Sequence, residues 1–111
     1  ATHVIGEVEG KVAVVVDDMI DTAGTMVAAA DVLLKYGALE VYACATHAVL
    51  SGPAMERLAA SKFKKIFVSD TIPIMDKISG CDKIHIFSIG NLLAKAIYNT
   101  HTESSVSELF V

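Results

Sequence analysis

The stretch VAVVVDDMIDTAGT, residues 12–25, decides how the chain is read. It opens on five apolar residues from Val12 through Val16, rich in β-branched types and short enough for a strand buried on both faces. Asp17 and Asp18 end that run. After Met19 and Ile20 come Asp21, Thr22, Ala23, Gly24 and Thr25, a string of small residues running into a helical pattern. A strand that turns through such a loop into a helix offers free backbone N–H groups and a positive dipole end to an anion, most often phosphate.

Each residue type suits that task for its own reason. Gly24 lets the backbone approach a ligand closely. Thr22 and Thr25 can cap the helix or donate hydroxyl hydrogen bonds to phosphate oxygens. Asp17 and Asp18 cannot face phosphate, because like charges repel; sugar hydroxyls or a hydrated Mg²⁺ would satisfy them. Phosphate at the loop and hydroxyls at the acids describe a ribose 5-phosphate. Residue chemistry alone leaves a second reading open, in which the acids are a strand end meeting solvent and Thr25 is an ordinary cap.

VVVDDMIDTAGT resembles the phosphoribosyl-pyrophosphate binding signature of type I phosphoribosyltransferases, and its DDMIDTAGT form is similar to that of the ribose-phosphate pyrophosphokinase (phosphoribosyl pyrophosphate synthetase) family. The resemblance continues, in family order, through ATHAVLSGPA (residues 45–54), SDTIP (69–73), SIGNLLAKAI (88–97) and SSVSELF (104–110). It implies a phosphoribosyltransferase-like, Rossmann-like α/β domain and the transfer of diphosphate from Mg-ATP to ribose 5-phosphate, giving phosphoribosyl pyrophosphate and AMP. Carried onto this chain, residues 21–25 (Asp21, Thr22, Ala23, Gly24, Thr25) wrap the 5-phosphate, and Asp17 with Asp18 takes the ribose hydroxyls. The tail resembles an allosteric phosphate or ADP segment, which implies a phosphate-contacting role for Ser105 and a packing role for Phe110. A homo-oligomeric parent protein is also implied.

The family's ATP site, its Mg²⁺ ligands and its catalytic Lys and Arg loop have no counterpart in these residues. The expectation is therefore a carboxyl-terminal half of a two-domain synthetase, spanning residues 1–111 as one domain, that binds but does not catalyse. Three other readings remain beside it. One is a non-catalytic associated subunit and another is a salvage phosphoribosyltransferase, disfavoured by the synthetase-like tail. The third is a phosphorelay receiver, which has no use for a DTAGT loop.

Composition agrees with these expectations. With 111 residues, 53% hydrophobic and 20% charged, the chain suits one globular domain with a real core. No apolar run reaches the ~18 residues of a membrane span, and no leader pattern precedes the first strand, so a cytoplasmic protein is expected. A net charge of -4, with no basic cluster beyond Lys62, Lys64 and Lys65, argues against nucleic-acid binding. Cys44 and Cys81 form neither a disulfide framework nor a metal spacing and read as free thiols.

Along the chain, helical stripes are expected at Met26, Ala29, Ala30, Leu33 and Leu34 and again at Ile89, Leu92, Leu93, Ala96 and Ile97. Gly37 should end the first helix. A helix cued by Ser51, Gly52 and Pro53 should reach Ala60, and Ser88 should cap the last. Strands are expected over residues 12–16, 39–46, 66–69 and 84–87. Strands alternating with helices give an α/β domain with a mainly parallel sheet, whose ligands sit at the strands' carboxyl ends. That rule gathers Asp17, Asp18, residues 47–51, Asp70 and Thr71 on one rim. His47 and Asp70 each admit a structural role as well as a substrate-facing one. Of the nine basic residues, Lys77 is the one placed to reach the crevice.

Overall fold

The computed structural model describes residues 6–110. Its elements run β1 (Val12–Ile20), α1 (Gly24–Lys35), β2 (Glu40–Ala48), α2 (Ala54–Ala60), β3 (Lys65–Ser69), β4 (Ile84–Phe87), α3 (Gly90–His101) and a 3-10 turn (Ser107–Phe110). The four strands form one sheet in the order β1-β2-β3-β4, every neighbouring pair parallel. The α/β class with a parallel sheet is thus borne out.

The strand order explains where the core sits. When consecutive parallel strands are laid side by side in one direction, crossovers of constant hand all fall on the same face. Accordingly α1 and α2 are neighbours packed over one side of the sheet. Beneath them lie Val41, Ala43, Ala45, Ile66 and Val68, all 1% exposed or less. The alanines of β2 let the helices come close, and Leu58 of α2 and Phe63 after it complete the packing at 0% and 1% exposure. Fully burying a side chain of that kind is worth roughly 1.5–3 kcal/mol.

Among the described residues nothing covers the opposite face, which corrects the expectation for β1. Val12, Val14 and Val16 are 55%, 57% and 74% exposed, and among the described residues β1 is an edge strand paired with β2 alone, not a strand buried on both faces. Register places Tyr42, Cys44, Phe67 and His85 on the same side as those valines. The strand also continues through the acids to Ile20, because backbone pairing with β2 persists as far as Ala48.

A second correction concerns α3. Its expected stripe buries nothing: Leu92, Leu93 and Ile97 are exposed, and the 3-10 turn is the helix's main neighbour. By contrast the α1 stripe is turned inward, with Met26 and Ala30 buried and Leu33 and Leu34 partly so. Gly37 ends α1 at φ 99, and a Cβ there would sit 2.9 Å from Glu9 Cγ, so the glycine also lets residues 8–10 close against the helix end. α2 begins at Ala54 with Pro53 as its cap residue and no side-chain cap bond, so Ser51 serves through its carbonyl, which accepts from Ala54 N–H.

Candidate functional site

β1, the loop after it and the start of α1 enclose a cavity of about 180 Å³. Its lining is Asp17, Met19, Ile20 and residues 21–26. Six of the seven expected ligand-binding residues, Asp17, Asp21, Thr22, Ala23, Gly24 and Thr25, therefore share one cavity. Asp18 does not line it; strand alternation directs adjacent side chains to opposite faces.

The backbone of the loop is arranged for an anion. Three consecutive carbonyls are tied back by protein donors: Asp21 O accepts from Ser51 N–H at 2.9 Å, Thr22 O from Arg57 Nη1 at 3.1 Å, and Ala23 O from Val27 N–H at 3.0 Å. A trans peptide aims its N–H opposite to its C=O. The N–H groups of Thr22, Ala23 and Gly24 consequently turn away from those donors, and among the described residues they find no backbone acceptor. They stand at the N-terminus of α1, where the helix dipole adds to their positive character. Ala23 holds φ 68, a left-handed conformation costing an L-residue roughly 1–2 kcal/mol.

The neighbouring loops are knit to this one. Val49 and Leu50 N–H both donate to Ile20 O, so the β2–α2 connection lies along the β1–α1 loop. His47 belongs to β2 itself, and its Nδ1 is 2.9 Å from Thr71 Oγ1. Thr71 Oγ1 also donates to Thr46 O, as does the hydroxyl of buried Ser69, so this polar cluster ties β2 to the segment after β3. Neither His47 nor Asp70 lines the cavity. Asp70 Oδ1 accepts from Ile89 N–H at 3.0 Å, and that bond, with help from Ser88, holds its carboxyl below the usual range. Ser88 Oγ accepts from Gly90 N–H, but the cap residue of α3 is Ile89, which makes no side-chain cap bond, so the cap expected at Ser88 falls one residue later and Asp70 holds the Ile89 N–H instead. Lys77 Nζ donates to Val49 O at 2.9 Å and is engaged at the rim of β2. Ser105 pairs its hydroxyl with Ser107, and Phe110 is 71% exposed; both follow the last residue of α3, and neither lines the cavity.

The family described as the phosphoribosyl synthetase-associated domain matches residues 1–111. The chain belongs to this family. A ribose-phosphate pyrophosphokinase of Caldanaerobacter subterraneus is 54% identical over 108 residues, covering 97% of this chain and 34% of that protein. A chloroplastic ribose-phosphate pyrophosphokinase 1 of Arabidopsis thaliana is 49% identical over 109 residues, or 98% of this chain and 27% of the relative. The crystal structure of phosphoribosylpyrophosphate synthetase from Mycobacterium smegmatis superposes with a TM-score of 0.83 at 38% identity, over 90% of this chain and 33% of that one. This member of the phosphoribosyl synthetase-associated family thus spans about a third of the length of the curated relatives it matches, and its parallel α/β fold is that of the synthetase structure.

Arg57 is the residue of this site that the sequence did not announce. It lies 35 positions from Thr22, on the exposed side of a seven-residue helix, and reads as ordinary helix surface until the two crossovers are laid side by side. As for metals, no group of three or more His, Cys, Asp or Glu side chains suited to an ion occurs among the described residues. Mg²⁺ is commonly held by one or two carboxylates together with substrate phosphates. Asp17 and Asp21 beside the cavity fit an ion brought in with a phosphorylated ligand, not a site built from protein alone.

Neither cysteine is in a disulfide, and no helix among the described residues is long and apolar enough to cross a membrane.

Proposed function

We propose that this chain is the ribose 5-phosphate-binding, carboxyl-terminal half of a cytoplasmic, homo-oligomeric ribose-phosphate pyrophosphokinase. The observation that carries the reading is the loop at residues 21–24, where three carbonyls are drawn into the protein and the N–H groups of the same peptides are left over at a helix start. A 5-phosphate accepts from those N–H groups and from the hydroxyls of Thr22 and Thr25. Asp17, at the cavity, accepts from ribose hydroxyls, whereas Asp18, which does not line it, is left without a sugar contact in this reading. Bound with ATP, Mg²⁺ would supply positive charge to the diphosphate, and Asp17 and Asp21 are the carboxylates of this chain at the cavity that would face it.

The supporting comparison is the similarity to ribose-phosphate pyrophosphokinases along nearly the whole chain. The strand order disfavours a receiver domain, whose sheet doubles back after its first strand in the order 2-1-3-4-5. Free thiols at Cys44 and Cys81 suit a reducing compartment.

The same reading makes the 111 residues alone a binder without turnover. In-line diphosphoryl transfer needs ATP positioned and its charge met by several cations. Here Lys64 is paired with Glu40, Lys83 with the carbonyls of Ala59 and Ser61, Lys77 with Val49 O and Arg57 with Thr22 O. Titration calorimetry comparing ribose 5-phosphate with ribose tests the site. Clear preference for the phosphorylated sugar is expected, with Asp17→Ala weakening sugar recognition more than binding of inorganic phosphate. Equal affinity for ribose and ribose 5-phosphate would end this reading.

A further inference from the structure

Building on the proposed 5-phosphate site, we infer that Arg57 is a positioning residue that locks the Thr22–Ala23 peptide in its anion-binding orientation. Two independent contacts place its guanidinium against the loop. Nη1 donates to Thr22 O at 3.1 Å, and a Cβ built on Gly24 would lie 3.1 Å from Nη1 and 3.7 Å from Cζ. Gly24 is thus the residue that admits the guanidinium as well as one that lines the cavity.

The bond falls on the peptide of this loop whose orientation is under strain. Ala23 sits at φ 68, which an L-residue avoids, and a flip of the preceding peptide by roughly half a turn carries that φ to the negative, relaxed side. The flip leaves the rest of the chain nearly in place, since rotations about the two flanking bonds compensate. Its effect on the site is large. Ala23 N–H leaves the cradle, and Thr22 O, a partial negative charge, swings toward the position the phosphate would occupy. Ser51 and Val27 hold the carbonyls on either side, but Thr22 O is held by Arg57. A conformation in a sparsely populated region persists only where its surroundings enforce it, and here the enforcing group comes from the next crossover helix.

Arg57 therefore acts through Ala23 and Thr22, and the test must separate that from a bulk effect of charge or of folding. It is run on the full natural polypeptide, with inorganic phosphate and ribose 5-phosphate as probes and thermal unfolding as a control for folding. Arg57→Ala is expected to weaken both ligands about tenfold, as befits loss of one charge-assisted hydrogen bond. The deciding measurement is the same substitution in an Ala23→Gly background. Glycine accepts positive φ without strain, so the drive to flip is gone and Arg57→Ala should there cost less than about threefold. An equal loss in both backgrounds overturns the inference and leaves Arg57 as a point charge or a fold contact. Unchanged binding in Arg57→Ala overturns it too, while leaving the phosphate site intact. If the unsubstituted protein fails to prefer ribose 5-phosphate over ribose, the failure belongs to the site itself. Should Arg57→Ala not fold, Arg57→Lys supplies the comparison. It keeps the charge with a single point donor in place of the planar fork, and should be weakened in the Ala23 protein and recover with Ala23→Gly.

Discussion

Both faces of the sheet carry β-branched aliphatic residues, and those residues meet different fates. Under α1 and α2, Val41, Ile66 and Val68 are 1% exposed or less; across the strands, Val12, Val14 and Val16 are more than half exposed. Hydrophobicity does not separate them. Topology does, because a sheet built in one direction puts its crossover helices on one side. The α3 arm repeats the lesson, since its apolar positions are patterned for packing and bury nothing within the described residues.

The comparison predicts unequal responses. Leu58→Ala, at a position with no exposure on the covered side, should lower the stability of this chain by about 2–5 kcal/mol in a urea titration. A loss under about 1 kcal/mol would mean that the covered side is not the core. A smaller and local effect is expected at the entrance to α3. Asp70 is held ionised by Ile89 N–H and then Ser88, so its carboxyl titrates below the ordinary 3.8. For a lowered acid, the stabilisation is present above the unfolded-state value and vanishes as pH falls through the folded one. The Ile89 amide shift, followed by NMR below pH 4, should therefore move with Asp70, and Asp70→Asn should abolish that movement. An Ile89 amide indifferent to pH in that window would remove Asp70 from the cap. The smallest effect is expected at Val16→Thr, on the open face, within about 0.5 kcal/mol in this chain. A cost several times larger in a longer polypeptide carrying this chain would show the face to be covered there.

Much of the architecture was legible. The strands at residues 39–46, 66–69 and 84–87 fall within two residues of β2, β3 and β4, and Gly37 ends α1 as a φ of 99 requires. The loop at residues 21–25 was legible because its chemistry is local: small residues, hydroxyls and a glycine between a strand and a helix. Three things were not. VAVVV is apolar on both faces whether or not anything covers the second one, so exposure of Val16 has no signature in the run. Asp17 and Asp18 looked like a terminus, yet backbone pairing with β2 ignores side-chain polarity and carries β1 to Ile20. Arg57 belongs to a contact across 35 residues, which neither periodicity nor spacing encodes. Ser105 and Phe110 stand apart from the cavity, and their implied regulatory role is a proposal for an assembly, tested by the phosphate and ADP response of Ser105→Ala.

The strand order also bears on how the chain comes into being. Each strand pairs with the one made just before it, so β2 needs only β1, β3 only β2, and β4 only β3. Many open α/β sheets double back, and their central strands must wait for partners translated later. Here a nascent chain can add to a growing edge in the order of its synthesis, with each crossover helix closing over the pair it joins before the next strand emerges.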